Sequence, residues 1–318
     1  MRVPVVFAFD DNYALPASIA IQSLLDSKRP STEYEIIVFH GGLSPKTIQK
    51  MEKICPIRWV KVDKTKLNNA PCSEYWPHSV YYRLFIADLL PEYGKVIWSD
   101  VDVLFKGDLA DIYAQDLQGA DWGGIIAERQ DETQGVHPHY PENKKTYIYM
   151  SGFMLIDTKL WRQKKMWDKF VEIIKTYGER LKFFDLDILN LAADKIYPVP
   201  FEYCVLENVY LSDDITKAKE YPWLSNTYSK ETLLAARENP KILHFAGSNV
   251  KIWLREPEEI PDYYWDYIRD SPFYNKAYYY PSLSVYLKKA MWTVVAGLCP
   301  VREWRRLARK RRKRLACR

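Results

Sequence analysis

Two aspartates in the middle of the chain, Asp100 and Asp102, have the residue type and the spacing of a candidate metal site. They occur in the stretch from Lys95 to Leu104, whose β-branched and aromatic residues predict a buried strand. Carboxylates two residues apart point to the same side of extended backbone and repel each other, and Mg²⁺ or Mn²⁺ between them would offset that repulsion. Ligands of open α/β sheets bind beyond the carboxyl ends of the strands, where this pair is expected. Asp-x-Asp is common, so a pair of solvated turn or capping residues is the alternative.

A second polar cluster follows the first predicted strand, Val3 to Phe9. The turn from Asp10 to Tyr13 leads into a helical pattern, and a strand, a polar turn and a helix in this order are typical of nucleotide-binding α/β domains. The chain has neither the Gly-x-Gly-x-x-Gly of dinucleotide sites nor a phosphate-loop lysine, so a nucleotide would be held by side chains. The alternative is that Asp10 or Asp11 only caps the helix.

Three further places in the chain could meet a charged ligand. Arg83 lies in an apolar segment predicted to be a helix from Val80 to Leu89, where it is either a snorkelling surface residue or a phosphate contact. Asp185 and Asp187 stand at an aromatic entry to a helix, where a cap and a first-turn acid are the alternative to chemistry. His244 is predicted to end a short apolar strand.

The elements that must position these residues alternate between strand and helix over roughly the first 250 residues, which predicts one α/β domain with a mixed, mostly parallel sheet flanked by helices. The 318 residues are 47% hydrophobic and 15% aromatic, ample for a core. The five cysteines are odd in number, scattered and without a Cys-x-x-Cys pair, so the sequence favours a reducing compartment over a disulfide framework. The apolar run after Arg2 predicts a first strand and not a signal peptide.

The C-terminal segment differs from the rest of the chain in charge. Residues 301–318 hold ten lysines or arginines and one acid, Glu303, a net charge of +9. Since the whole chain carries +5, the first 300 residues carry −4, and no nucleic-acid partner is expected for this mildly acidic body. Nucleic-acid binding through the tail would lack a recognition motif or an aromatic platform beside the basic run.

The same segment has the pattern of an amphipathic helix. Apolar residues recur at helical spacing before residue 300 and continue as a narrower face among the arginines, with Trp292 and Trp304 as candidate interfacial anchors. The uninterrupted apolar run is far shorter than the roughly 20 residues of a spanning helix, so the segment is expected to lie on a membrane. The sequence thus predicts an α/β domain over residues 1–280 and a basic amphipathic tail over residues 281–318. A soluble or disordered basic tail is the alternative.

Six short blocks between residues 8 and 247 together resemble the retaining glycosyltransferases of family 8, the group of the bacterial lipooligosaccharide galactosyltransferases, lipopolysaccharide glucosyltransferases and glycogenin. The blocks are Ala8–Tyr13, Tyr82–Leu84, Trp98–Leu104, Ser151–Asp157, Phe184–Asn190 and His244–Gly247. Each block alone is unspecific, and their order and spacing carry the resemblance. It implies a GT-A fold that uses a sugar nucleotide, normally a UDP-hexose, together with Mn²⁺.

The resemblance also implies roles for individual residues. The expected metal ligands are Asp100, Asp102 and His244, and a mixed carboxylate and imidazole set favours Mn²⁺ over Mg²⁺. Asp185 is expected beside the donor sugar as the candidate catalytic carboxylate. The expected donor-binding residues are Ala8, Asp10, Asn12, Arg83, Asp100, Ser151, Gly152, Gly247 and Lys251.

Within the donor-binding set, Asp10 and Asn12 match uridine contacts, and Arg83 matches a contact to the diphosphate or the sugar. Gly247 and Lys251 match the pyrophosphate loop. The chemistry suits these residue types, because a cation that bridges two phosphates makes UDP a better leaving group, and a lysine adds charge where the departing phosphate develops it.

Three departures from the family pattern leave the sugar open between galactose and glucose. Met150 and Leu186 stand where an asparagine and a glutamine are common, and the lysine loop has one extra residue before Lys251. Retention by double displacement would need a carboxylate nucleophile, for which Asp185 is the candidate. In a front-face reaction the acceptor hydroxyl would enter on the side from which UDP leaves, and the sequence is compatible with both.

The expected function is metal-dependent, retaining transfer of a hexose from a UDP-sugar to a glycan or glycolipid acceptor of the bacterial surface, such as a lipopolysaccharide or lipooligosaccharide core. The expected location is cytoplasmic and peripheral, with the tail on anionic lipid at the cytoplasmic face of the inner membrane. The alternative is a catalytically impaired member of the same fold that binds glycans or membranes, for which the altered sugar and lysine-loop positions are the argument.

Overall fold

The computed structural model describes residues 1–67, 70–71, 78–129, 145–246 and 251–280, together with residues 291, 292 and 294. The strands described are β1 (Arg2–Ala8), β2 (Glu33–His40), β3 (Ile57–Lys61), β4 (Lys95–Ser99), β5 (Val103–Phe105), β6 (Trp122–Arg129), β7 (Tyr147–Asp157), β8 (Ile196–Val199), β9 (Val205–Leu206) and β10 (Ile242–His244).

The α-helices described are α1 (Ala14–Asp26), α2 (Pro45–Met51), α3 (Ile86–Leu89), α4 (Ala110–Ala114), α5 (Thr158–Gln163), α6 (Met166–Tyr177), α7 (Asp185–Ala192), α8 (Glu207–Leu211), α9 (Tyr221–Leu224), α10 (Lys230–Glu238), α11 (Asp262–Asp270) and α12 (Lys276–Tyr279). Short 3₁₀ helices occupy Asp11–Tyr13, Lys64–Leu67, His78–Phe85, Gly178–Arg180, Phe201–Cys204, Ile215–Lys217, Ile252–Leu254 and Pro257–Glu259.

The main sheet has seven strands in the order β3-β2-β1-β4-β7-β6-β8. β7 runs antiparallel to both of its neighbours, and the other paired strands are parallel. The central strands β1 and β4 are continuous apolar runs because both faces of a parallel sheet are covered. The predicted α/β class with a mixed, mostly parallel sheet is therefore confirmed.

A second, smaller sheet has the order β5-β10-β9. β10 is antiparallel to β5 and parallel to β9, and each strand is at most three residues long. The sequence predicted β10 but assigned β5 to the preceding strand. The predicted strand through Lys95 to Leu104 is instead interrupted, because β4 ends at Ser99 and β5 begins at Val103 in the other sheet. The aspartate pair lies in the bend between them and not in extended backbone.

Two predicted helices differ in the structure. The segment around Arg83 is a 3₁₀ helix as far as Phe85, and only its last four residues are α-helical. The sequence predicts a long amphipathic helix that Thr158 caps and that carries Trp161, Trp167 and Phe170. In the structure it is broken into α5 and α6 at Lys165, whose backbone φ of 51° is left-handed. Asp157, and not Thr158, caps α5 by accepting from the Leu160 N–H at 2.7 Å.

The chain divides into two compact units, Met1–Lys251 and Ile252–Arg318. The first unit contains both sheets, with a large buried apolar core. In the second, the Trp265 ring meets the Tyr279 ring edge to face at 4.9 Å, and the Tyr279 hydroxyl donates to the Trp253 carbonyl at 2.9 Å.

The predicted tail, residues 281–318, lies outside the described residues except for residues 291, 292 and 294, which are helical. The side chains of Met291 and Val294 are more than half exposed. None of the helices described is both long enough and apolar enough to cross a membrane. The boundary at residue 280 and the membrane role of the tail stay predictions.

Candidate active site

Three side chains, Asp100, Asp102 and His244, form a cluster where the chain passes from the main sheet to the second sheet. One possible ligand atom of each residue lies within 4.8 Å of the other two. Asp100 follows β4, and Asp102 precedes β5. His244 ends β10 opposite Val103, and the Phe245 N–H donates to the Asp102 carbonyl at 2.9 Å. The pairing of β10 with β5 therefore brings a distant histidine onto the aspartate pair.

Gly152 in β7 leaves open the space in which this cluster sits. Its carbonyl accepts from the Asp100 N–H at 2.8 Å, because β4 and β7 are antiparallel neighbours. A Cβ atom on Gly152 would lie 2.6 Å from His244 Cε1 and 3.2 Å from Asp100 Oδ2. Because any side chain here would occupy the space between these two ligands, the site requires a glycine at this position.

Arg83 is buried, with 5% of its surface exposed, so it is not a snorkelling surface residue. Its guanidinium lies 4.7 Å from the centroid of the Trp98 ring. It donates to Asp100 Oδ1 at 2.7 Å and to the Ser151 carbonyl, and its Nε lies 3.2 Å from Asp185 Oδ2. One fixed cation thus joins Asp100, a candidate metal ligand, to Asp185, the candidate catalytic carboxylate.

Asp185 is buried at the first turn of α7 and does not cap the helix. Its Oδ2 accepts from the Ser151 hydroxyl at 2.8 Å in addition to its ion pair with Arg83. The pKa of Asp185 is raised to about 6, mainly by burial; Arg83 lowers this pKa and the nearby Asp100 carboxylate raises it. Asp187 ties down the segment before the helix, because its Oδ2 accepts from the backbone N–H groups of Lys182 and Phe183 at 2.8 Å.

His244 is held through both ring nitrogens. Nε2 lies 3.3 Å from Asp102 Oδ1, and Nδ1 lies 3.2 Å from the sulfur of Cys204. Cys204 is buried, and its sulfur also lies 3.7 Å from the Met150 sulfur. The sequence did not single out Cys204, because one of five scattered cysteines carries no positional signal. Its contact with Nδ1 orients the imidazole so that Nε2 faces the aspartate pair.

Lys251 reaches the same cluster from the end of the first unit. Its ammonium donates to Asp102 Oδ2 at 2.6 Å and to the Phe245 carbonyl at 3.2 Å. Burial alone would lower the pKa of Lys251, but the Asp102 carboxylate raises it above its ordinary value. Gly247, the other predicted member of the pyrophosphate loop, lies outside the described residues.

The three predicted donor-binding residues nearest the N-terminus are Ala8, Asp10 and Asn12. Ala8 ends β1, which is the parallel neighbour of β4, so Ala8 and the aspartate pair lie at the same edge of the sheet. Asp10 Oδ1 accepts from the N–H groups of Asn12 at 3.0 Å and Tyr13 at 3.2 Å, so Asp10 caps the short helix that follows. Asn12 is exposed. Uridine contacts by Asp10 and Asn12 stay a prediction.

The donor set of two carboxylates and one imidazole suits a divalent cation, with the imidazole favouring Mn²⁺ over Mg²⁺. Burial raises the pKa of Asp102, but His244 and Lys251 lower it further, so this carboxyl is an anion. Burial lowers the pKa of His244, whereas Cys204 and Asp102 raise it well above its ordinary value. A cation at Nε2 would therefore have to replace a proton.

Comparison with known proteins gives a family and a fold. Residues 4–256 match glycosyl transferase family 8. General stress protein A of Bacillus subtilis (strain 168) is 26% identical over 262 residues, 78% of this chain and 86% of that protein. The lipopolysaccharide 1,2-glucosyltransferase of Escherichia coli (strain K12) is 25% identical over 260 residues, 78% of this chain and 72% of that protein.

Among solved structures, the galactosyltransferase LgtC in complex with donor and acceptor sugar analogs superimposes with a TM-score of 0.64 at 21% identity. The match covers 79% of this chain and 89% of that chain. At this level of identity the likeness concerns the fold. It confirms the GT-A architecture predicted for the α/β part of the chain.

Proposed function

The chain belongs to glycosyl transferase family 8, and from this premise we propose that it transfers a hexose from a UDP-sugar to a hydroxyl group of a bacterial surface glycan. The hexose is galactose or glucose, and the acceptor is of the lipopolysaccharide or lipooligosaccharide core type. The reaction depends on a divalent cation, Mn²⁺ in preference to Mg²⁺, and retains the configuration of the anomeric carbon.

The observation that carries this proposal is the cluster of Asp100, Asp102 and His244, within 4.8 Å of one another, and its connection through Arg83 to Asp185. A fold that served only as a binding platform would not need a pair of carboxylates and a histidine around a glycine that leaves room between two of them. Asp185 is buried, and burying a carboxylate costs stability, so such groups concentrate at functional sites.

The residues of the cluster have distinct roles in the proposed reaction. Asp100, Asp102 and His244 hold the divalent cation, which would neutralise the diphosphate and improve UDP as a leaving group. Arg83 fixes Asp100 and Asp185 relative to each other, so both carboxylates keep their positions while charge develops on the sugar and the leaving diphosphate. Asp185 faces the positive charge that develops on the sugar ring. It does so either as a nucleophile or as the anion beside a front-face reaction.

Two relatives support the donor and acceptor classes. The Escherichia coli relative is named as a glucosyltransferase of lipopolysaccharide, and LgtC is named as a galactosyltransferase. Both names point to a hexose donor, and the first points to a lipopolysaccharide acceptor. Met150 lies beside Cys204 and next to Ser151, close enough to the site for its substitution to bear on which hexose is accepted.

The tail supplies the proposed location. Residues 281–318 associate with anionic lipid at the cytoplasmic face of the inner membrane, which keeps the active site beside a lipid-linked acceptor. The net charge of +9 in residues 301–318 and the exposed apolar side chains of Met291 and Val294 support this role.

The proposal is tested by incubating the full chain with Mn²⁺ and a panel of sugar nucleotides and measuring UDP and free sugar by chromatography. Slow hydrolysis of UDP-galactose or UDP-glucose is expected, with loss of turnover in EDTA and in the Asp102→Ala protein. Asp213→Ala, at an exposed aspartate, is the matched control and should keep the wild-type rate. A chain that hydrolyses no donor but still binds glycan or vesicles would be the catalytically impaired alternative.

A further inference from the structure

Each aspartate of the candidate metal pair is paired with a cation of this chain. Arg83 donates to Asp100 Oδ1 at 2.7 Å, and Lys251 donates to Asp102 Oδ2 at 2.6 Å. The charges of these four groups cancel. A divalent cation that arrives alone therefore enters a site whose ligand charge is already compensated, and its attraction to the carboxylates is correspondingly weakened.

The two cations differ in how firmly they are held. Arg83 is almost fully buried, and besides Asp100 it contacts Asp185 and the backbone carbonyls of Val80 and Ser151. The Lys251 side chain is 24% exposed, and the acceptors described for it are Asp102 and one backbone carbonyl. Lysine carries its charge on a flexible four-carbon stem, whereas the planar guanidinium of arginine is fixed by several bonds. Lys251 can leave its carboxylate without disturbing the core, and Arg83 cannot.

We propose that Lys251 couples metal binding to nucleotide binding by exchanging partners between Asp102 and a diphosphate. Without nucleotide, the ammonium stays on Asp102 and competes with the divalent cation for that carboxylate. When a diphosphate binds, its negative charge draws the ammonium away, and Asp102 becomes available to the cation. The site then loads its cation together with the nucleotide, and this inference rests on the function proposed above.

The exchange has a consequence that a simple phosphate contact would not have. If Lys251 only held the diphosphate, its removal would weaken UDP binding and leave the affinity for Mn²⁺ alone unchanged. If it also competes for Asp102, its removal strengthens binding of Mn²⁺ alone while it weakens binding of UDP. Because coupling between two ligands is reciprocal, the factor by which UDP tightens Mn²⁺ must shrink by the same amount as the factor by which Mn²⁺ tightens UDP.

The test measures binding and not turnover. The affinity of the full chain for Mn²⁺ is determined by electron paramagnetic resonance of the free ion, with and without saturating UDP, and that for UDP by calorimetry with and without Mn²⁺. In Lys251→Met, the affinity for Mn²⁺ alone is expected to rise about tenfold and the coupling factor to fall about tenfold, within the usual range of such couplings. Lys251→Gln should behave alike, which keeps the test open if the methionine variant folds poorly.

Two controls separate direct pairing from a change in net charge. Lys175→Met removes one exposed lysine on α6 and should leave both affinities unchanged. The effect of Lys251→Met should also persist at about 0.5 M salt, where the interaction of exposed charges is screened within a few ångströms.

The outcomes distinguish the inference from its premise. A wild-type chain that binds neither Mn²⁺ nor UDP overturns the proposed function. A wild-type chain that binds both, with the same coupling factor in Lys251→Met or with unchanged or weaker binding of Mn²⁺ alone in that variant, overturns the role of Lys251 and leaves the function standing.

Discussion

Asp102 and Asp185, two carboxylates of the same site, differ in their environments, and the difference assigns their roles. Asp102 is paired with Lys251 and His244, and these two groups lower its pKa more than burial raises it. Asp185 has one cation, Arg83, which it shares with Asp100, and burial raises its pKa to about 6. Near pH 7 both are mainly anions, but Asp185 is the less compensated one. A poorly solvated anion is best suited to face a positive charge that exists only during the reaction.

Replacing Asp185 by asparagine is therefore expected to affect turnover far more than nucleotide binding. Asp185→Asn keeps the size of the side chain and removes the charge that is proposed to face the sugar, so kcat should fall by about 100-fold or more. The affinity for UDP with Mn²⁺ should stay within about threefold, because the proposed role of Asp185 is toward the sugar and not the nucleotide. Steady-state kinetics and calorimetry provide the two numbers. Equal losses in both would instead assign Asp185 a structural role.

The same substitution should change how stability depends on pH. The unfolded-state pKa of aspartate is about 3.9, so between about pH 4 and pH 6 the folded chain binds more protons at Asp185 than the unfolded chain does. The free energy of unfolding of the wild type therefore falls as the pH rises through this window, by about 1.4 kcal/mol for each unit by which the folded-state pKa exceeds the unfolded-state pKa. Asp185→Asn has no carboxyl group here, so its free energy of unfolding lacks this contribution.

Urea denaturation in EDTA should show the free energy of unfolding of Asp185→Asn, relative to the wild type, rising by about 2 kcal/mol from pH 4 to pH 7. EDTA is needed because a bound cation would add a positive charge and lower the pKa of Asp185. A difference that does not change with pH would mean that Asp185 titrates as it does in the unfolded chain.

Gly152 provides a test of the candidate metal cluster that substitutes none of its three candidate ligands. In Gly152→Ala the new methyl group would lie 2.6 Å from His244 Cε1, so the imidazole must move. The affinity for Mn²⁺ is expected to fall at least tenfold, in line with the usual effect of disturbing how a ligand is oriented. Gly94→Ala is the matched control, since a Cβ atom there meets nothing within 4 Å. Equal Mn²⁺ affinity in both variants would contradict the position assigned to the cation.

At the residue scale, the sequence was informative where side-chain type and spacing are local. Asp100 and Asp102 could be identified as a pair because they are two residues apart. Cys204 could not, because its contact with His244 joins residues 40 positions apart through the pairing of β9 with β10. The sequence left two roles for Asp10, a helix cap or a ligand contact. The structure shows the cap, and the ligand contact stays a prediction.

At the scale of elements, the main error concerns the single long helix predicted from Thr158, which the structure breaks into α5 and α6. One helix is predicted through Trp161, Trp167 and Phe170, but at about 100° per residue Trp161 and Phe170 fall on opposite sides of such a helix. The apolar face after residue 165 therefore does not continue the one before it. The left-handed φ of 51° at Lys165 ends α5 and turns the chain into α6, and lysine carries no sequence signal for this conformation.

A glycine in place of Lys165 is expected to stabilise the protein. Lys165→Gly removes the clash of Cβ in left-handed backbone, which costs about 1 kcal/mol, and Lys165 is exposed. The free energy of unfolding should rise by about 0.5–1 kcal/mol, measured by urea denaturation. Glu172→Gly, at an exposed position within α6, should lower it by about 1 kcal/mol. A loss in both variants would mean that Lys165 makes contacts worth more than the strain.

At the scale of the whole molecule, the sequence predicted the class of fold and the edge of the sheet, but not the way in which the site closes. Asp102 and His244 are 142 residues apart and meet because β5 and β10 pair in a second sheet. These strands have three residues each, which is too short for alternation to distinguish a strand from a loop. The order of the blocks along the chain identified the histidine, and only the fold shows what holds it there.

The prediction at the scale of the whole molecule concerns membrane attachment through the C-terminal tail, residues 281–318. Each lysine or arginine near an anionic leaflet contributes about 1 kcal/mol, so the net charge of +9 in residues 301–318 is ample for reversible attachment. Full-length protein should float with vesicles that contain phosphatidylglycerol at low salt and detach at about 1 M salt, where screening reaches about 3 Å. A protein truncated after Tyr280 should stay in the soluble fraction at both salt concentrations and keep its activity on free acceptors. Replacing Arg305, Arg306 and Arg309 by glutamine keeps the apolar pattern of the tail and should weaken flotation in proportion to the lost charge. If full-length and truncated proteins float equally on anionic vesicles, the membrane contact lies elsewhere in the chain.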